Sequence, residues 1–448
     1  MTLQWTSEQV LALSPDASST KNGKTLANVS KWSLLGCSGR AAWGECKGSG
    51  KNPYRTQIDL GEPAFRCSCP SRKFPCKHAL GLFLLLTEQT DVFNQNAAPD
   101  WVVEWLEKRS QTAARQQNKQ AKAAPDPTAQ AKRAQQRTVK VAAGLADFRQ
   151  WMQDIIRQGL AALPNQPYSF WDRAAARLVD AQAPGLARRV RALASIPHSG
   201  EGWPERMLAA LGQLHLLVQG YERLESLAPL MQAELRSQIG WSQTQDDLHQ
   251  RVEQADPLVK CLKDTWQILG RAVTEEDNLR TQRVWLWGCQ QQQPALVLSF
   301  AYGQHPLDMS LVPGTRLSGE LLFYPGTGVQ RAFVESREEV VSALPDPELG
   351  FEEIEAAIAR YAQALSQNPW LEQFPLTLRQ VAPRYRAEAW WLQDRAGSVL
   401  PLSPRFNKGW ELMAVGGGRP LAVFGEWDGS TLLPLSLWNQ TQFITLGA

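Results

Sequence analysis

Cys67, Cys69, Cys76 and His78 stand within twelve residues, in the run Phe65-Arg-Cys-Ser-Cys-Pro-Ser-Arg-Lys-Phe-Pro-Cys-Lys-His-Ala79. Thiolate sulfur and imidazole nitrogen are the donors that a tetrahedral Zn2+ takes in structural sites. Three Cys and one His complete the set and leave no position for water or substrate. The chemistry expected here is therefore Zn2+ binding that supports a fold, not metal catalysis. The elements that must position the donors are legible around them. Tyr54 to Cys67 reads as two extended pieces broken at Gly61-Glu-Pro63, a turn signal, with the first Cys pair at a strand end. Pro70 and Pro75 exclude a helix across the spacer, which must loop back. Pro75 suits a helix start, and Ala79-Leu-Gly-Leu-Phe-Leu-Leu-Leu86 continues as a buried helix. Cys76 and His78 then enter from its first turn, where the helix dipole favours thiolate.

The pattern Cys-x-Cys, six residues, Cys-x-His resembles the SWIM zinc finger, and Cys67, Cys69, Cys76 and His78 match its four positions. The runs Trp43-Gly-Glu-Cys-Lys-Gly-Ser-Gly50 and Cys69 to His78 are similar to bacterial SWIM proteins. The likeness covers roughly residues 30 to 90. It implies a zinc-bound β-β-α module that contacts DNA or other proteins. It also implies, as partners, MoxR-type AAA ATPases or von Willebrand A proteins, which would make the chain an adaptor.

Other chemistry is sparse. Gly48-Ser-Gly-Lys51 fails as a phosphate loop, because Glu45 stands where the first Gly belongs and Asn52 follows the Lys. A tight turn exposing Lys47 and Lys51 is expected instead. His198, His215, His249 and His305 are scattered and fit no nucleophile or metalloprotease motif. Cys37 and Cys46 read as buried thiols, and Cys261 and Cys289 as packed ones. Glu352, Glu353 and Glu355 suit the first turn of a helix better than a carboxylate catalyst. The expectation is a non-enzyme.

The 448 residues exceed one ordinary core and predict several domains. No run approaches the ~20 apolar residues of a membrane helix. The first residues lack a basic start and apolar core, so no secretory signal is expected. Seven Cys without a paired framework point to a reducing, cytoplasmic location. The net charge of +3 hides an asymmetry: residues 1–140 hold 20 Lys and Arg against 11 Asp and Glu, the remainder 27 against 33.

The fold class read from pattern is α+β and multidomain. Residues 1–107 form the zinc unit, with its core at 50–90; Trp5 to Leu13 is helical, Trp32 to Gly48 forms short strands, and Trp101 to Leu106 is a short helix. Residues 108–137, rich in Ala, Gln, Lys and Arg with no apolar stripe, read as a flexible or transiently helical basic linker. Residues 138–280 form an α-helical domain, with helices at 139–163, 174–194, 203–222, 227–239 and 258–273. Residues 281–448 form a β-rich α+β domain. Its strands are expected at 283–288, 295–300, 319–324, 387–393, 411–415, 421–425 and 431–438, with a helix at 351–367 and a hairpin turn at Gly416-Gly-Gly-Arg419. Arg173, Arg177, Arg188, Arg189 and Arg191 read as solvated helix faces.

Three functions fit this reading. The first is a zinc-binding scaffold or adaptor for protein partners. The alternative is weakly sequence-specific DNA binding through Lys47, Lys51, Arg55, Arg66, Arg72, Lys73 and Lys77 around the finger. The third is an enzyme with an unrecognised C-terminal site.

Overall fold

Alternation of apolar and polar residues builds a four-stranded antiparallel meander from β1 (Trp32–Cys37), β2 (Ala41–Cys46), β3 (Tyr54–Asp59) and β4 (Ala64–Cys67), in that order. The computed structural model describes the chain except residues 1–6, 16, 49–51, 61–63, 72, 95–96, 121–126, 242, 277, 304–306, 330, 343–344, 347, 440–441 and 448. Helices α1 (Ser7–Ala12) and α2 (Ala17–Leu26) precede the sheet; α3 (Lys77–Glu88) and α4 (Asp100–Gln120) follow it. In α3 every residue from His78 to Leu86 is buried, as an all-round apolar helix requires. Its fit against α2 depends on two glycines: a Cβ at Gly23 would lie 2.9 Å from Leu80 Cβ, and one at Gly81 2.6 Å from Leu26 Cβ. The other sheet face packs Ala41 and Trp43 against Val102 of α4.

The segment expected to be a linker is mostly helix. α4 runs on to Gln120, and α5 (Pro127–Gln158) starts soon after. Ala, Gln, Lys and Arg are strong helix formers, so propensity acts here without an apolar stripe. α5 then leads a bundle with α6 (Tyr168–Asp180), α7 (Pro184–Leu193), α8 (Trp203–Glu222) and α9 (Pro229–Ile239), followed by α10 (Gln245–Glu253). Val141, Leu145, Phe148, Met152 and Ile155 repeat at three and four spacing along α5 and face the bundle core. A distant residue completes that core. Trp370 inserts into it and donates its Nε1–H to the Gln213 carbonyl at 3.0 Å.

The expected helix at 258–273 is instead β5 (Lys260–Glu276), so strands begin before residue 281. β5 forms a closed barrel with β6 (Leu279–Gly288), β7 (Gln293–Tyr302), β8 (Thr315–Phe323) and β9 (Arg331–Ser342), in the order β5-β6-β7-β9-β8. The physical reason is burial on both faces: Ile268 points into the barrel core, while Leu269 packs under the C-terminal sheet. A register shift between Ile268 and Gly270 disturbs the phase further. Such a strand loses its alternation and mimics helical spacing. Cys261, expected to be packed, is exposed, because it sits at the outer start of β5.

Helix α11 (Ile354–Gln367) precedes a six-stranded sheet made of β10 (Phe374–Arg386), β11 (Ala389–Gln393), β12 (Val399–Pro401), β13 (Leu421–Trp427), β14 (Leu432–Trp438) and β15 (Phe443–Thr445). Its order is β12-β11-β10-β13-β14-β15. β10 was not expected, since Pro375 and Pro383 interrupt it, yet it pairs on both sides. The expected strand at 411–415 is helix α12 (Gly409–Gly416), and the following glycines end that helix rather than join two strands. A short apolar run of Leu, Met and Ala does not distinguish the two states by period. Barrel and sheet are joined by a buried ion pair. Arg283 of β6 meets Glu426 of β13 through Nε at 2.7 Å and a second nitrogen at 2.9 Å, and Trp285 Nε1–H donates to the same carboxylate at 2.8 Å.

Candidate metal centre

Cys67 ends β4 opposite Thr56 of β3, which turns its side chain toward α3. Cys69 follows two residues on. The spacer loops back, and Cys76 becomes the N-cap of α3 with extended backbone, so His78 falls in the first turn. These local choices bring the four donor atoms within 4.8 Å of one another. His78 Nδ1 lies 3.8 Å from Cys67 Sγ and 3.9 Å from Cys76 Sγ. A tetrahedral zinc with ordinary bond lengths separates its ligands by about 3.5–3.8 Å, so the cluster fits that ion. Thr56 Oγ1 sits 3.2 Å from Cys67 Sγ, and the Tyr54 ring packs 4.9 Å from the His78 ring, tilted at 41°. Tyr54 and Thr56 are two apart on β3 and share the face of Cys67. Their part was readable only once the register of β3 on β4 was known.

Charge in the cluster is unevenly held. A hydrogen bond with the Cys76 thiol, helped by His78 and Thr56 and opposed by burial, holds Cys67 down at about 4. The same contact with Cys67, together with burial, pushes Cys76 up, and burial raises Cys69. A divalent cation bound here supplies the positive charge that lets all three sulfurs stand as thiolates. Cys46 remains outside the donor set as a fully buried thiol, raised to about 11 by burial and then by Cys67.

The cations proposed from sequence are distributed over both faces of the sheet. Arg55 and Arg66 are exposed and lie on the face of Gln57, whose amide donates to the Trp101 carbonyl of α4 at 3.4 Å. Arg55 is held by Glu45 at 3.2 Å and stacks 5.8 Å from the Trp101 ring centroid. Lys73 and Lys77 are exposed beside the donors, on the side of α3. Lys47 is exposed just past β2, its N–H bonded to the Lys31 carbonyl at 3.0 Å. Lys51 and Arg72 lie outside the described residues. Among the bundle arginines, Arg188 and Arg189 pair with Glu372 at 2.7 and 2.9 Å, and Arg191 pairs with Asp172 at 2.9 Å.

A β-hairpin and a helix N-terminus that present three sulfurs and one imidazole to a common centre define a zinc finger of the structural class. Residues 54–86, from the start of β3 through α3, match the SWIM zinc finger, and residues 136–239, from α5 to the end of α9, match the SWIM-associated four-helix bundle domain. The chain thus carries a SWIM-type zinc finger and the helical bundle associated with it, within a mixed α+β fold. Among the curated proteins and the solved structures, no match to it was found.

Proposed function

We propose that the protein is a zinc-stabilised, non-enzymatic interaction scaffold in the cytoplasm, an adaptor for protein partners. The observation that carries this reading is the burial of α3 from His78 to Leu86. The metal centre braces a core and does not raise a helix for reading bases. Val312 and Met309, from the loop between β7 and β8, pack into the same core, so the finger is tied to the barrel. Among the described residues, no helix is long and apolar enough to cross a membrane. The SWIM likeness makes a MoxR-type AAA ATPase or a von Willebrand A protein the partner to test first. Purification of the full chain from its own cells should recover a stoichiometric partner that withstands raised salt; recovery of nucleic acid alone would sink the reading.

One observation favours DNA as a second reading. Residues 108–140 carry nine Lys and Arg against one Asp. If this segment tracks phosphates, duplex affinity of the full chain will fall steeply with salt. Affinity flat in salt, or absent at low salt, removes this alternative.

A further inference from the structure

The barrel leaves one of its seams largely unpaired. β7 pairs with β6 along its whole length, from Gln293 to Tyr302. On its other side it meets β9 only at Leu296 with Arg331 and at Val297 with Ala332. From Leu298 onward, among the described residues, no backbone hydrogen bond reaches that edge.

The direction of the free groups follows from the ladder. The Gly303 N–H donates to the Asn278 carbonyl at 2.9 Å, which sets the phase of the β6–β7 pairing. Alternate residues of an antiparallel strand face the partner strand, so Ala301 and Ser299 also turn their amides to β6. Leu298, Phe300 and Tyr302 turn theirs away. The side chains alternate with the same period, across the sheet rather than along it. Ala301 is buried, and Ser299 accepts from Gln282 at 3.1 Å on the inner face. Phe300 and Tyr302 are 56% and 65% exposed, and Leu279, opposite Tyr302, is 40% exposed.

Open strand edges are normally guarded by charge, proline or a bulge, because they template pairing with another chain. β7 has Pro294 at its paired beginning, but its ten residues include no Asp, Glu, Lys or Arg; each other barrel strand has at least one. The outward stripe is also continuous with an interface already in use. Leu296, two residues before Leu298, packs with Trp285 under the C-terminal sheet.

We propose that residues 298–302 of β7 are a docking edge that takes an extended segment of a partner polypeptide as an added strand. Main-chain groups of Leu298, Phe300 and Tyr302 supply the hydrogen bonds, and the Leu279–Phe300–Tyr302 surface receives every second side chain of the segment. This rests on the protein-interaction reading above and names its surface.

The test has two parts, both on the full chain. Hydrogen–deuterium exchange of the protein alone should find the amides of Phe300 and Tyr302 exchanging at least about tenfold faster than those of Ser299 and Ala301. Equal protection would mean the edge is already satisfied and would overturn the proposal. The second part places the photo-crosslinker p-benzoylphenylalanine at Phe300, at Tyr302 and, as a control on another exposed surface, at Trp410, which is 64% exposed. After irradiation in the protein's own cells, the partner residues crosslinked from Phe300 and Tyr302 should lie two apart in one segment. A synthetic peptide of that segment should bind, and each N-methylation on its docking edge should weaken it roughly threefold to tenfold. Crosslinks to a second copy of this chain, or to residues spaced by three or four as on a helix, overturn the docking edge. Crosslinks from Trp410 alone overturn it while leaving the protein-interaction reading standing. Crosslinks from none of the three count against both.

Discussion

The zinc module and the barrel-plus-sheet region reach stability by opposite routes. In the module, four donors from a twelve-residue run meet within 4.8 Å and close a small β-α unit around an ion. In the C-terminal region the work is done by packed strands and by groups far apart in sequence, such as Arg283 with Glu426 and Trp370 with Gln213. The first depends on a few irreplaceable atoms, whereas the second spreads its free energy over many contacts. That difference teaches where each region should fail.

The largest effect is expected at the metal donors. Cys76→Ser or His78→Ala should abolish stoichiometric zinc and open residues 54–88 to protease, since binding at such sites is worth on the order of 10 kcal/mol of folding. Metal content and limited proteolysis check this; full zinc with unchanged cleavage would refute the site. The barrel should keep its own unfolding transition, apart from loosening of the loop around Val312.

Next comes the buried ion pair. Arg283→Ala leaves Glu426 buried without its partner and should cost about 3–5 kcal/mol in chemical denaturation, with zinc content unchanged. Loss of zinc in this variant would erase the contrast between the regions. A smaller cost, about 1–3 kcal/mol, is expected for Gly270→Ala, whose new Cβ would meet Leu435 Cβ and Phe424 at 2.8 Å where barrel and sheet touch. No measurable change in its denaturation midpoint would show that this contact yields freely.

The smallest effect concerns the seam between bundle and sheet. Burial raises the Glu372 carboxyl, but the guanidiniums of Arg189 and Arg188 outweigh it and hold it below its usual value. A carboxylate depressed in the folded state stabilises above its unfolded pKa, and that stability is lost as pH falls through the folded value. Because the side chain is 43% exposed, about 1 kcal/mol or less is at stake. Glu372→Gln should therefore lower stability at neutral pH by up to about 1 kcal/mol and match the wild type in acid, so that its loss of stability below about pH 4.3 is flatter. An identical pH profile in the two proteins would show that the pair contributes nothing.

Legibility followed the same divide. The donors, the loop forced by Pro70 and Pro75, and the buried helix after His78 were readable because every constraint is local. The bundle helices were readable from their apolar spacing, except that the single helix expected at 174–194 is two, α6 and α7, parted just before Pro184. β5 was misread because both of its faces are covered, and β10 was missed because its prolines concealed pairing on both sides. The cations around the finger show the limit within the site itself: adjacency in sequence suggested one surface, but strand alternation sends Arg55 and Arg66 to the face away from Cys67.

The sequence by itself determined the metal chemistry, since ligand type and short-range spacing settle which atoms can meet. Only the tertiary structure decided that five strands close into a barrel, that Trp370 completes a bundle from 131 residues beyond its last helix, α9, and that β7 keeps an open edge. Those outcomes depend on pairings between distant segments, whose free energy is shared among alternatives that local pattern does not rank.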